Sequence, residues 1–183
     1  MTDVIVVGGG PAGLGAALYT AKNGLETTVF DTDRTWMHKA HLFNYLGIES
    51  MDGTEFVEQS REQVEGFGAE LREEEVLDVE QTADGFSVET GDDEYSAEYL
   101  VLATGTDRGL AKDLGCELTD RAVVDVDVTM ETSVENVYAV GAMGRVEEWQ
   151  AQIAAGDGAA AGLNILSTEK GEKFHDFDAP EDA

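Results

Sequence analysis

The sequence predicts an α/β fold, a parallel sheet covered by helices with an antiparallel β-meander attached. Three observations lead there. Val4-Ile5-Val6-Val7 is a β-branched run that passes directly into Gly8-Gly9-Gly10-Pro11-Ala12-Gly13, a glycine turn opening a helix. Residues 76–79, 86–90 and 95–103 form three short strand-like pieces separated by turn residues. Residues 137–140 read as another buried strand, which leads into a long helix rich in Ala and Gly.

The elements follow in order. From Pro11 a helix is expected to about residue 23, with Gly24 a C-cap candidate just past its end. Residues 27–30 make the second strand, and Asp31 ends it. Residues 32–53 carry no clear period and read as a long connection with aromatic content. Thr54 is placed to cap the next helix, with Glu55 favourably set against its dipole. Val57, Ser60, Val64 and Phe67 then fall on one face, and Gly66 and Gly68 stop the helix. In the meander Phe86, Val88 and Thr90 alternate, and Ala83-Asp84-Gly85 and Gly91-Asp92-Asp93 are turn material. The last helix is expected from about residue 148 to 166, and everything after Ser167 is short, charged and expected to fray. No repeat or linker divides the chain, so residues 1–166 are expected to form a single domain followed by an acidic tail, 167–183.

The chain of 183 residues is long enough for one substantial core. Its charge is unusual: 39 acidic residues against 11 basic, a formal net of -28. The acids are scattered through helices and turns. A solvated surface adapted to high salt accounts for that pattern, because screening removes the self-repulsion that otherwise opposes compaction. An acidic surface for a basic partner should leave a denser cluster. The expectation is a halophilic protein of the cytoplasm. No basic stripe exists to displace counterions, so nucleic acid is not the expected partner. Cys116 is the only cysteine, which excludes an intramolecular disulfide and a Cys-x-x-Cys pair. The N-terminus enters a strand at Val4 with no basic n-region or long apolar stretch, which argues against a signal peptide or membrane span.

Gly8-x-Gly10-x-x-Gly13 sits in the context that makes the pattern usable: a strand before it, a helix after it, and an acid closing the next strand. This is a Rossmann-like dinucleotide signature. The first glycine permits the tight turn, the second lets a pyrophosphate approach the backbone, and the third lets helix and strand pack closely. Unpaired amides at the helix start favour the pyrophosphate charge. Asp31, 18 residues beyond Gly13, is placed to accept hydrogen bonds from ribose hydroxyls. A structural glycine turn in an ordinary βαβ unit is the competing reading, and the register of strand, helix and acid weighs against it. The motif does not choose between NAD and FAD.

The rest of the chain makes that choice through resemblance. Gly8-Gly9-Gly10-Pro11-Ala12-Gly13-Leu14, Asn44-Tyr45-Leu46-Gly47, residues 66–70 with Val76, Leu102-Ala103-Thr104-Gly105, residues 132–141 and Gln150-Ala151 with Ala154-Ala155-Gly156 occur in order. In that order they resemble the low-molecular-weight thioredoxin reductase family of two-dinucleotide-domain flavoproteins. The resemblance covers nearly all of residues 3–166 and implies FAD as cofactor. It implies that residues 8–13 form the FAD turn, that Asn44 belongs to the segment beside the flavin, and that a backbone group near Val76 holds the adenine. It places Ala103, Thr104 and Gly105 where the chain leaves the FAD domain, and Gly141 and Ala142 where it returns. Gln150 and Ala151 then start the helix that faces the flavin ring, with amides suited to negative charge on reduced flavin. The charge balance makes a haloarchaeal member the expectation.

Three departures qualify the resemblance. Only 36 positions separate Gly105 from Gly141, where the family carries an NADPH-binding domain; the space holds a helix-like turn around residues 110–114 and the segment 123–130. The family's redox cysteine pair belongs to that domain, so dithiol reduction is not carried over. Where the family has an aspartate bonding the ribityl chain, this sequence has Ala142, a loss worth about 1.5–3 kcal/mol of hydrogen bonding.

Other candidates are weaker. Trp36-Met37-His38-Lys39-Ala40-His41 lies where the family chain passes the flavin. His38 or His41 is either a proton donor there or a polar residue of a loop whose aromatic fills the core. No metal-ligand spacing surrounds them. Cys116 reads as a packed small hydrophobe, Arg108 as a surface ion pair, and the small residues of the last helix as helix–sheet packing. No nucleophile–base arrangement is visible, so no catalytic residue is assigned. The leading expectation is an FAD-dependent oxidoreductase, a homodimer, reduced by external NAD(P)H or by a partner redox protein and not a dithiol reductase. The alternative is a non-catalytic FAD- or nucleotide-binding module, or a subunit of a larger redox complex.

Overall fold

The computed structural model of the chain describes residues 2–91 and 93–179. β1 (Thr2–Val7) and β2 (Thr27–Phe30) pair in parallel, joined by α1 (Pro11–Lys22). A 3-10 turn (Trp36–Lys39) and the short hairpin β3 (His41–Leu42) and β4 (Met51–Asp52) fill the long connection before α2 (Gly53–Gly66). β5 (Glu70–Arg72) adds in parallel to β2. β6 (Val76–Thr82), β7 (Gly85–Thr90) and β8 (Glu94–Leu102) form the antiparallel meander. After α3 (Gly109–Asp113), β9 (Val137–Ala139) returns to the sheet in parallel with β8, and α4 (Ala151–Lys170) closes the fold.

The sheet order is β5-β2-β1-β8-β7-β6, with β9 also on β8. β8 unites the two parts. Residues 94–97 pair with β7, and residues 100–102 pair with β9 further along the strand. Its other side pairs with β1 through Leu102. The expected α/β architecture, with the meander hung on a parallel sheet, is what the chain adopts.

Both sheet faces are buried, which explains why Val4 to Val7 reads as a continuous apolar run. Val4 and Val6 pack with α1, α4 and Tyr138 on one face. Ile5 and Val7 pack on the other with Phe86, Leu100, Leu102 and the segment around Ala111 and Cys116. Each such fully buried side chain stabilises the fold by about 1.5–3 kcal/mol. Cys116 lies in this second core as a packed hydrophobe, as expected, and burial pushes its thiol pKa up.

Several boundaries differ from the sequence expectation. The cap of α2 is Asp52, whose carboxylate accepts Thr54 N–H at 2.8 Å; the helix therefore begins before Thr54. Phe67 is the C-cap of α2 and is exposed, so the buried stripe ends at Val64. β5 has no sequence signal, being three residues long with two of them charged; parallel pairing to β2 makes it a strand. α4 begins three residues later than expected and runs to Lys170, where Gly171 takes the left-handed conformation at φ 65°. The residues after it are strapped down: Phe174 N–H donates to Ser167 Oγ at 3.1 Å, and Lys22 Nζ reaches Asp176 at 2.8 Å and Asp178 at 2.5 Å. Asp92, in the second meander turn, and the end of the tail at 180–183 lie outside the described residues.

Candidate functional site

β1 lies between β2 and β8, so the connections leaving its neighbours diverge and open a crevice at the carboxyl end of β1. The glycine turn occupies that end. Gly8 has φ +113°, and a Cβ there would run into the Ala103 carbonyl. A Cβ on Gly13 would collide with the Gly8 carbonyl, so the third glycine serves helix–strand packing. Over Gly10 the nearest other atom is Thr35 Oγ1 at 3.4 Å, which leaves that side of the turn open. An open middle glycine between two close-packed ones fits a pyrophosphate cradle.

Asp31 closes β2 beside this turn, its carboxylate against the Gly9 backbone. Its N–H donates to Arg72 O at 2.9 Å at the end of β5, and Val76 opens β6 four residues later. Arg61 of α2 donates to Asp31 and also to Asp33, the latter at 2.7 Å. Asp33 accepts in turn from His38 Nε2 at 2.8 Å, and His38 Nδ1 contacts Thr54 Oγ1 at 3.1 Å. The His38 and Arg61 hydrogen bonds hold the Asp33 pKa below the ordinary carboxylate value. Arg61 is a site residue that the sequence motifs do not mark. The available signal is a cation one helical turn from Val57 and three residues from Val64, on the stripe that α2 buries.

The second half of the crevice comes from two remote segments. Ala103 N–H donates to Val7 O at 2.8 Å, and Gly105 turns the chain at φ +68°. Gly141 follows β9 by two residues, and a Cβ on it would stand 3.0 Å from Ala12 Cβ and 3.5 Å from Ala154 Cβ. Gly141 therefore touches the starts of both α1 and α4. Thr104 Oγ1 sits 3.0 Å from Met143 Sδ, joining the leaving and returning segments. Among the described residues Arg108 makes no ion pair, contrary to expectation; it donates to main-chain carbonyls of Thr106, Ala142 and Met143.

The approach to α4 is braced at two points. Arg145 holds Asp157 in a bidentate pair at 2.7 and 2.6 Å, and Arg145 O accepts from Trp149 Nε1 at 3.1 Å. Asp157 is buried, and it is the only acid between residues 151 and 168, which is the one sequence hint of a specific partner. Gln150 is the N-cap residue of α4, and its Oε1 accepts from Asn44 Nδ2 at 2.8 Å. Leu46 N–H donates to Gln152 Oε1 at 3.3 Å. These bonds tie the 36–50 connection to the α4 start, with Trp36, Phe43, Leu46 and Trp149 exposed along it. His41 contacts Ser50 Oγ at 2.9 Å and packs against Phe43.

Gly8 to Gly13, Asp31, Ala103 to Gly105, Gly141, Ala142, Gln150 and Ala151 are thus gathered around the carboxyl end of the parallel strands. Asn44 spends its amide on Gln150, and Val76 stands at the outer end, on the meander.

The sequence profile of a family described as pyridine nucleotide-disulphide oxidoreductase matches residues 2–111. The thioredoxin reductase of Treponema pallidum (strain Nichols) is 36% identical over 115 residues, 57% of this chain and 36% of that protein. That of Mycolicibacterium smegmatis is 37% identical over 107 residues, 56% of this chain and 34% of that protein. These alignments span about a third of the length of the curated relatives. A solved thioredoxin reductase from Gloeobacter violaceus is similar in fold, with a TM-score of 0.87 at 21% identity, covering 98% of this chain and 99% of that one.

Proposed function

The chain belongs to the pyridine nucleotide-disulphide oxidoreductase family, and from that membership we propose that it is an FAD-dependent oxidoreductase unit whose reductant comes from outside the 2–179 fold. One observation carries the reading. Segments more than a hundred positions apart, the turn at Gly8 to Gly13 and the returning turn at Gly141 and Ala142, meet at the carboxyl end of β1. That is where α/β sheets bind nucleotides.

The residues present fit FAD. Gly8 to Gly13 would cradle the pyrophosphate, Asp31 would accept from the ribose hydroxyls, and the region of Val76 would bound the adenine. Ala103 to Gly105, Gly141, Ala142, Gln150 and Ala151 would line the ribityl and ring end, with Asn44 acting through Gln150. Bound FAD would supply reversible two-electron chemistry. The residues of this chain bind and orient it, and the brace at Asn44 and Gln150 keeps the 36–50 connection over the α4 start.

Between Gly105 and Gly141 the chain makes only α3 and irregular segments packed on the second core, with no nucleotide-binding unit of its own. This gap supports free NAD(P)H or a partner redox protein as the donor. A single, buried Cys116 supports a reading other than dithiol reduction for this fold. Exposed Trp36, Phe43, Leu46 and Trp149 offer apolar area for such a partner or for a second copy in a homodimer. The acid-rich surface supports a halophilic, cytoplasmic setting, and no described helix is long and apolar enough to cross a membrane. A second reading, an FAD-binding module without turnover, draws on Ala142 and on His38, both of whose ring nitrogens already have partners.

The test is a visible spectrum of protein purified in molar salt, followed by anaerobic NADH and NADPH. A yellow protein that bleaches supports the oxidoreductase. Bound flavin that resists both nucleotides and dithionite-reduced carrier protein favours the module. Folded protein that takes up no FAD overturns both.

A further inference from the structure

Arg108 stands where the chain's outward and returning passages meet. Its Nη2 donates to Ala142 O at 2.7 Å, its Nε to Met143 O at 3.1 Å, and its Nη1 to Thr106 O at 2.8 Å. Among the described residues it enters no ion pair, in a chain of net charge -28. Main-chain carbonyls accept from three of its five N–H bonds, and among the described residues no carboxylate lies within ion-pair distance of it. The turn it grips follows Gly141 directly, and Gly141 lies against Ala12 of the glycine turn and Ala154 of α4.

We propose that Arg108 is a positioning residue of the flavin site: its fork holds the 141–143 backbone beside the cofactor, and its charge favours the reduced, anionic flavin. The assignment rests on the FAD reading above. The Ala142 side chain is a methyl group, so the turn is anchored through its carbonyls, which a rigid planar cation grips. A cation near the ring stabilises the form that gains negative charge, so it tightens reduced flavin more than oxidised flavin.

The experiment measures FAD affinity and midpoint potential in molar potassium chloride for wild type, R108M and R108K, with circular dichroism as the folding control. R108M is expected to weaken oxidised FAD several-fold and reduced FAD about tenfold more, which lowers the midpoint by about 30 mV. R108K keeps the charge and loses the fork, so its affinity falls while its potential stays at the wild-type value. Wild-type affinity and potential in R108M overturn the assignment. Equal loss of affinity in both variants at unchanged potential also overturns it, since that is plain structural support. If R108M does not fold, the charge-free R108Q takes its place under the same criteria: a midpoint lowered by about 30 mV supports the role, and a wild-type potential refutes it. Wild-type protein that binds no FAD is a separate result, which removes the flavin reading and this assignment together.

Discussion

Ala142 puts a single half-buried methyl on a turn whose carbonyl is already taken by Arg108. Restoring an acid there adds an acceptor for a ribityl hydroxyl without disturbing the backbone bond. Ala142→Asp is expected to tighten FAD about tenfold or more, the equivalent of about 1.5–3 kcal/mol for a charged hydrogen bond. Titration of FAD by fluorescence quenching checks it, and an unchanged dissociation constant would mean that position 142 does not face the ribityl chain. Asp31 poses the opposite problem, because Arg61 occupies it in the folded chain. On the proposed reading, ribose hydroxyls would share the carboxylate with that guanidinium. The sequence places Asp31 at the end of its strand, but the arginine that competes for it comes from 30 residues away.

At the scale of elements, the contact between α1 and α4 frames the site, because both helices start at the crevice. Small residues set the distance between them. A Cβ on Gly158 would fall inside the Ala12 carbonyl and 2.7 Å from Ala16 N, whereas one on Gly156 meets nothing within 4 Å. Alanine favours a helix over glycine by about 1 kcal/mol at either position. At Gly158 the clash with rigid backbone outweighs that gain, since overpacking costs about 1–3 kcal/mol or more. Gly158→Ala is therefore expected to lower Tm by several degrees and to weaken FAD. Gly156→Ala should leave Tm equal or higher. Differential scanning calorimetry of the pair separates the two effects, and equal behaviour would refute the close-packing account. Packing accounts for Gly158 and Gly162, but against helix α1 and not against the sheet as expected, since their neighbours are α1 atoms.

For the molecule as a whole, the governing quantity is charge. A net of -28 on 183 residues opposes compaction at low ionic strength, and the Debye length shrinks to about 3 Å at 1 M salt. Tm should climb steeply with potassium chloride into the molar range. A flat profile from low salt into that range would refute adaptation of this surface to salt. The ion pairs that matter most are partly shielded ones such as Arg145 with Asp157, where salt competes least.

Much of the molecule follows from chemistry between residues adjacent in sequence. The strand–glycine–helix opening, the meander, the return at residues 137–140 and the small-residue helix each depend on such neighbours, and each forms within a few positions of its expected place. Glycine roles are legible for the same reason, since a turn or a close approach leaves no room for a side chain. Choices among distant partners are not legible in this way. Nothing near Arg61, Arg108 or Asp157 in the chain distinguishes the carboxylate, carbonyl or guanidinium each meets, nor Asp52 from Thr54 as the cap of α2. β5 is a strand only because β2 lies beside it, and the described residues after α4 are held through Asp176 and Asp178, which Lys22 at the end of α1 reaches, and through the bond from Phe174 to Ser167. Hydrogen-bond and ion-pair partners are settled by three-dimensional proximity, which a one-dimensional pattern of polarity does not encode.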